Sequence, residues 1–258
     1  MAKSDSIFSK VPDVTHKEAA LQIDPKEFEN LIQSRRSVRV YIDEPIPDDI
    51  ISKCIDAALL APNSSNLQPW EFYRVKSAEN KKLVAKYCLN QPAAKTASEL
   101  IICVARRDTW RKHAVQMLEF FKAQEGETPK SVISYYSSLV YLANTVGPFG
   151  ILGYFKKIFI GIKRINGISP GGNSSIADMR VWAHKSTALA CENLMLAFRA
   201  YGYDSCPMEG FDEKKIKKLL KLPRGAEPTM IISAGKRAEN GVYAPRIRFP
   251  KEQFYFEI

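Results

Sequence analysis

The sequence predicts one α+β domain spanning residues 1–258. Three observations carry that expectation. Hydrophobic residues fill 45% of the 258 positions, enough for one sizeable core. Segments of helical apolar period alternate with short apolar runs of strand length. No stretch repeats, and no shift in composition marks a second domain.

The first helix is expected at Asp24-Pro25-Lys26-Glu27, which supplies an N-cap, a proline at the first helical position and a glutamate at the third; it runs toward Ser34. From Pro47, residues Ile50, Ile51, Cys54, Ile55, Ala58 and Leu59 keep helical spacing until the turn-rich run Ala61 to Asn66. Trp70 to Val75 reads as a strand. Ser77 caps a helix carrying Leu83, Val84, Tyr87 and Cys88, and Leu100 to Ala105 is a continuous apolar run typical of a buried strand. Residues 110–124 form an amphipathic helix. From Asp178 to Tyr201 a largely buried helix carries Val181, Trp182, Leu189, Leu194, Met195, Leu196 and Phe198, is closed by Gly202, and forms the centre of the fold. A short helix (Glu213 to Leu220), a buried strand (Thr229 to Ala234) and an extended C-terminal arm at about 243–258 complete the chain.

Between about residues 125 and 177 the chain is less regular and rich in Gly, Pro, Ser and Tyr, as an insertion would be. Within it, Ile151, Leu152, Phe155, Ile158, Phe159 and Ile162 recur at helical spacing, with Lys156, Lys157, Lys163 and Arg164 between or after them. This basic amphipathic segment reads as a lid or a helix packed on the body. A second reading is weak contact with a membrane surface or a lipophilic substrate. No transmembrane span is expected here, because the Lys156-Lys157 pair interrupts the apolar run.

Lys and Arg outnumber Asp and Glu by 38 to 28, a formal net charge of +10. Such an excess suits a phosphorylated or polyanionic partner, or a basic solvated surface. Residues 1–18 carry charge throughout and no apolar core of a leader, so a cytoplasmic protein is expected. Five cysteines (Cys54, Cys88, Cys103, Cys191, Cys206) are odd in number and lack a CxxC pair, and read as reduced, mostly buried thiols. His16, His113 and His184 have no ligand spacing, so neither a metal site nor a catalytic triad is expected.

Arg35, Arg36, Ser37 and Arg39 fall within five positions. If the chain is extended after Ser34, period two puts Arg35, Ser37 and Arg39 on one side and Arg36, Val38 and Val40 on the other; if it stays helical, 35 and 39 still share a face. Forked, permanently charged guanidiniums with a hydroxyl suit a phosphate, and the plainer reading is a solvated basic face. Pro62-Asn63-Ser64-Ser65-Asn66-Leu67-Gln68-Pro69-Trp70 offers hydroxyls and amides without charge, suited to a neutral heterocycle edge or sugar chain, or only to joining helix and strand. Cys206 to Phe211 reads as a glycine-containing turn whose Gly210 amide can approach a planar ligand, or as a connector between helices. Pro245-Arg246-Ile247-Arg248-Phe249-Pro250 repeats the pattern of two arginines at period two, or is a basic tail.

Taken together and in this order, Arg35 to Arg39, Ala61 to Trp70, Asn90, Pro207 to Asp212 and Pro245 to Pro250 resemble the FMN-dependent nitroreductase family, over about residues 28–105 and 178–250. The insertion departs from the family pattern. The resemblance implies an α/β/α sandwich with a central, mostly antiparallel sheet, in an intertwined homodimer with FMN at the subunit interface. Carried onto this chain, Arg35, Ser37, Arg246 and Arg248 hold the FMN phosphate, and Arg36 joins the cofactor-binding set. Arg39 faces the pyrimidine edge of the ring, and Asn90 contacts the flavin from the same side. Pro62, Asn63, Ser64 and Asn66 come from the partner subunit. Pro207, Met208, Glu209 and Gly210 lie along the ring with a backbone amide near N5.

The implied activity is ping-pong oxidoreduction: NADH or NADPH passes a hydride to the flavin, and a nitroaromatic, quinone or related small molecule accepts the electrons. No side chain is needed as acid or base. Reductive dehalogenation, enone reduction and flavin fragmentation occur on the same fold and stay open. A non-enzymatic nucleic-acid binder is the reading from a different class. It is disfavoured, because the aromatics are not interleaved with the basic clusters and no helix-turn-helix or RRM pattern is present.

Overall fold

The computed structural model describes residues 18–124, 128–165, 167–169 and 171–258. The reading of the N-terminus as free of a leader falls mostly outside them. Helix α1 (Pro25–Ser34) starts as its sequence dictates, with the Asp24 carboxylate accepting from the Lys26 amide at 2.9 Å and Pro25 opening the first turn. It ends at Arg35, whose φ of −63° and ψ of 126° are extended. The chain continues through β1 (Tyr41–Ile42), α2 (Asp48–Leu59), β2 (Trp70–Arg74), α3 (Ala78–Tyr87, capped by Ser77), α4 (Pro92–Thr96), β3 (Glu99–Arg106) and α5 (Trp110–Lys122).

The expected insertion is not irregular. It holds α6 (Lys130–Ser134), a single π turn (Tyr135–Leu139), α7 (Val140–Asn144) and α8 (Ile151–Ile165). Its serines and tyrosines hid the helical period, yet Tyr136 packs on Phe121 and Tyr141 on Trp110 of α5. Then follow α9 (Ile176–Ala200), β4 (Asp204–Met208), α10 (Glu213–Leu219) and β5 (Ala226–Arg237). Gly202 closes α9 with a φ of +83°, a conformation that costs glycine little.

The sheet runs β1-β5-β3-β2, with β4 also paired to β5, and all of these ladders are antiparallel. Adjacent side chains point to opposite faces, so Ile101 and Cys103 join Ile232 and Ala234 against Cys54, Ala58, Leu194 and Phe198 of α2 and α9. On the other face Leu100, Ile102, Val104 and Ile231 pack against Val84 and Cys88 beside α3 and Ile216 of α10. Both faces are covered, which explains why β3 reads as an uninterrupted apolar run. The layers are helix, sheet, helix, as expected, and all five cysteines are free and buried. Leu189 and Val181, counted with the buried face of α9, are exposed in this chain.

Glu227 of β5 lies buried under α9, where it accepts a hydrogen bond from Arg180 Nε and sits 3.3 Å from His184 Nε2. Burial pushes its carboxyl up, but Arg180 and His184 outweigh burial and hold it below the ordinary glutamate range. A carboxyl depressed by folding contributes stability above its unfolded pKa of about 4.3 and loses it as pH falls through the folded value. Thermal midpoints should therefore fall as pH drops below about 4.3, and Glu227→Gln should flatten part of that fall. Parallel midpoint curves for wild type and variant would contradict the assignment.

Candidate functional site

The segment after α1 is extended because it is pinned on both sides. Ser37 bridges Ser205 of β4, the Val38 amide donates to Ser205 O at 3.1 Å, the Arg39 amide donates to Gly241 O at 2.8 Å, and Val38 is sealed in the core. The chain leaving β5 then crosses this strap. Arg36 donates to Ala244 O, and Arg246 Nη2 donates to Gln33 O at 2.9 Å and to Arg35 O. Between strap and arm lies a cavity of about 250 Å³ lined by Arg35, Arg36, Ser37, Arg39 and residues 242–248, including Arg246 and Arg248.

Among the described residues no carboxylate lines this cavity. Lost hydration and the charges of Arg248, Arg36 and Arg35 depress the Arg246 guanidinium below the usual arginine range. Glu192 of α9 lies 3.8 Å from Arg35 Nε. The guanidinium of Arg39 sits over the Tyr243 ring, 5.4 Å from its centroid. Five arginines and a serine hydroxyl facing one cleft make an anion site of phosphate character. Arg36, assigned by period two to the opposite side from Arg35, lines the cleft as well. Sequence reasoning missed Glu192 and Tyr243; only the latter left a signal, its place beside the arginines of the arm.

The uncharged loop lies elsewhere in the chain. Asn63 Oδ1 accepts from the Gln68 amide at 2.8 Å, Pro62 precedes it, and Asn66 Nδ2 is 3.5 Å from Met117 Sδ. Ser65, Asn66 and Gln68 hold positive φ values of 58°, 48° and 44°, unusual for residues with a Cβ. Ser64 lines a second cavity of about 490 Å³, with Tyr135, Leu139, Val140 and, from α8, Lys156 and Phe159. The two cavities share no lining residue. Within one chain, then, the structure gathers the arginines and Ser37 but not the loop.

A family model described as the nitroreductase family matches residues 32–132 and 172–236, more than half of the chain. The chain belongs to the nitroreductase family. With that membership comes the enzyme class, an oxidoreductase. Residues 133–171 of this nitroreductase, which hold most of the helical insertion, fall outside the match. Protein DrgA of Synechocystis sp. is 29% identical over 81% of this chain and 83% of its own length. The NADH dehydrogenase of Thermus thermophilus is 24% identical over 85% and 90%. A structure of an Exiguobacterium sibiricum protein in complex with FMN superposes with a TM-score of 0.63 over 94% of this chain and all of that one, at 21% identity.

The remaining residues expected at the site of this chain cluster near the end of β4. Asn90 has a left-handed φ of 54° just past α3, and its neighbour Gln91 donates from Nε2 to Gly210 O at 2.9 Å. Cys206 to Met208, expected as part of a turn, belong to β4, so Pro207 is inside a strand; Glu209 and Gly210 follow it, exposed. The Met208 side chain packs in the core with Val84, Leu100 and Ile231, which leaves only its backbone to face a ligand. The strap and this motif share an edge through the Ser37–Ser205 bridge, and the positive charges of Arg39 and Arg35 partly offset the upward push of burial on the Cys206 thiol.

Proposed function

We propose that this chain, an FMN-dependent oxidoreductase by its family, works as a homodimer that draws electrons from NADH or NADPH and reduces nitroaromatic, quinone or related small acceptors in a ping-pong cycle. The observation that carries it is the carboxylate-free cleft in which residues 35–39 meet an arm more than two hundred positions away. When bound, the flavin supplies the hydride-accepting ring. Arg35, Ser37, Arg246 and Arg248 hold the phosphate, with Arg36 keeping the arm closed over it. Arg39 provides a fixed positive charge at the ring, where negative charge grows on reduction, and so favours the reduced state.

Pro62, Asn63, Ser64 and Asn66 complete the site from the partner subunit, because their loop shares no cavity with the arginines of its own chain. Exposed apolar groups support the dimer: α1 buries no residue despite Phe28, and the arm displays Ile247, Phe249, Phe254 and Phe256. Asn90 and the backbone at Pro207, Met208, Glu209 and Gly210 lie on the ring side. Among the described residues no helix is long and apolar enough to cross a membrane, and buried unpaired thiols fit a cytoplasmic setting.

The purified protein should be yellow and bleach anaerobically on addition of NADH or NADPH; a colourless protein that binds no added FMN would refute the proposal. Arg39→Ala should leave FMN bound yet slow flavin reduction by about tenfold or more in stopped-flow, with a lower flavin potential. An unchanged hydride-transfer rate would remove that role from Arg39.

A further inference from the structure

Helix α8 is packed inside out. Its 15 residues, about 22 Å of helix, divide into an apolar arc (Ile151, Phe155, Ile158, Phe159, Ile162, Ile165) and an opposite arc of Gly153, Lys156, Ile160 and basic residues. A helix on a globular surface normally turns its apolar arc inward. Here every member of that arc is exposed, Phe155 at 63% and Ile162 at 59%, and the one buried residue is Gly153. This rotation needs that glycine, since a Cβ there would collide with the Ser174 carbonyl oxygen. On the same inward arc Lys156 Nζ is spent on the carbonyls of Leu142 and Ala143, at 2.9 and 3.0 Å.

The flanks of the arc say what covers it. From Thr128 to Ala177 the sequence contains no Asp or Glu, while Lys157 and Lys163 border the apolar arc and are exposed. Phe149 just before the helix and Ile168 just after it are almost wholly exposed and extend the patch at both ends. A second copy docked α8 to α8 would bring these bases together with no carboxylate from either segment between them. An anionic lipid surface meets both demands at once: acyl chains receive the aromatic and aliphatic side chains, and headgroup phosphates receive the bases.

We infer that α8 is an interfacial anchor that holds this protein on anionic bilayers, lying in the membrane surface without crossing it. The inference does not depend on the flavin reading. It is tested by sedimenting the full-length FMN-loaded protein with vesicles of phosphatidylglycerol and phosphatidylcholine, and with phosphatidylcholine alone. Binding should be at least about tenfold stronger to the anionic vesicles and weaken with salt. Lys157→Gln with Lys163→Gln should reduce it by about twentyfold, near fivefold per base. Phe155→Glu with Ile162→Glu, at exposed positions that leave the fold intact, should abolish it while FMN stays bound. Equal binding to both vesicle types, or none to either, overturns the inference. So does a Phe155→Glu, Ile162→Glu protein whose mass by sedimentation equilibrium falls below that of wild type, since the patch would then belong to a contact between chains.

Discussion

Replacing Arg35 and Arg246 together with alanine should lower the affinity for FMN by about a hundredfold to ten-thousandfold while leaving the protein folded. Each guanidinium offers charge-assisted hydrogen bonds to a phosphate, worth about 1.5–3 kcal/mol apiece, or roughly tenfold to hundredfold in affinity. Both line the cleft, and among the described residues no carboxylate lines it to neutralise them. Arg246 also donates to Gln33 O and Arg35 O, so its loss loosens the arm as well as removing a charge. Arg246→Lys separates the two effects, because it keeps the charge and loses the fork. The measurement is FMN titration by quenching of flavin fluorescence, with circular dichroism as the control for folding. An affinity within about threefold of wild type would mean that the phosphate is held elsewhere.

Phe198→Ala should destabilise the protein by about 3–5 kcal/mol, the largest stability effect expected of a single substitution here. Phe198 is fully buried on α9, in the cluster that joins α9 to α2 and to the sheet through Ile101 and Ile232. Truncation loses the transfer energy of the ring and leaves a cavity that neighbours on three elements cannot all collapse to fill. For a chain of this size that corresponds to a drop of roughly 10 °C in thermal midpoint by calorimetry. Phe198→Leu keeps much of the volume and should cost less than half as much. A Phe198→Ala midpoint within about 2 °C of wild type would mean that the cluster repacks or that α9 is not central.

What could be read beforehand follows the range of the forces involved. The start of α1 was legible because Asp24, Pro25 and Lys26 settle it among themselves. The end of α9 was legible because Gly202 takes the left-handed turn by its own nature. Strand β3 was legible because burial on both faces demands an apolar run. Short elements whose existence depends on a distant partner were not. Strand β4 contains a proline and is a strand because β5 lies beside it, and β1 is two residues matched to Lys236 and Arg237. The arginine motifs were visible separately, and the family pattern gave a reason to join them. That Arg36 enters the same cleft, and that the Met208 side chain leaves it for the core, depended on how the strap and β4 pack.

By itself, then, the sequence determined what local chemistry dictates: helix caps, the apolar runs, an excess of fixed positive charge, and an amphipathic α8 flanked by bases. Tertiary structure alone decided which charges meet and which way the amphipathic face looks. Arginines from two ends of the chain converge because backbone hydrogen bonds tie the strap to β4 and to Gly241, and the guanidiniums of Arg36 and Arg246 then bind carbonyls of the arm and the strap. The apolar arc of α8 points outward in a packing that admits only glycine at position 153, where a Cβ would collide with the Ser174 carbonyl. Both outcomes rest on contacts between segments remote in sequence, and no period or propensity along the chain encodes the distance between them.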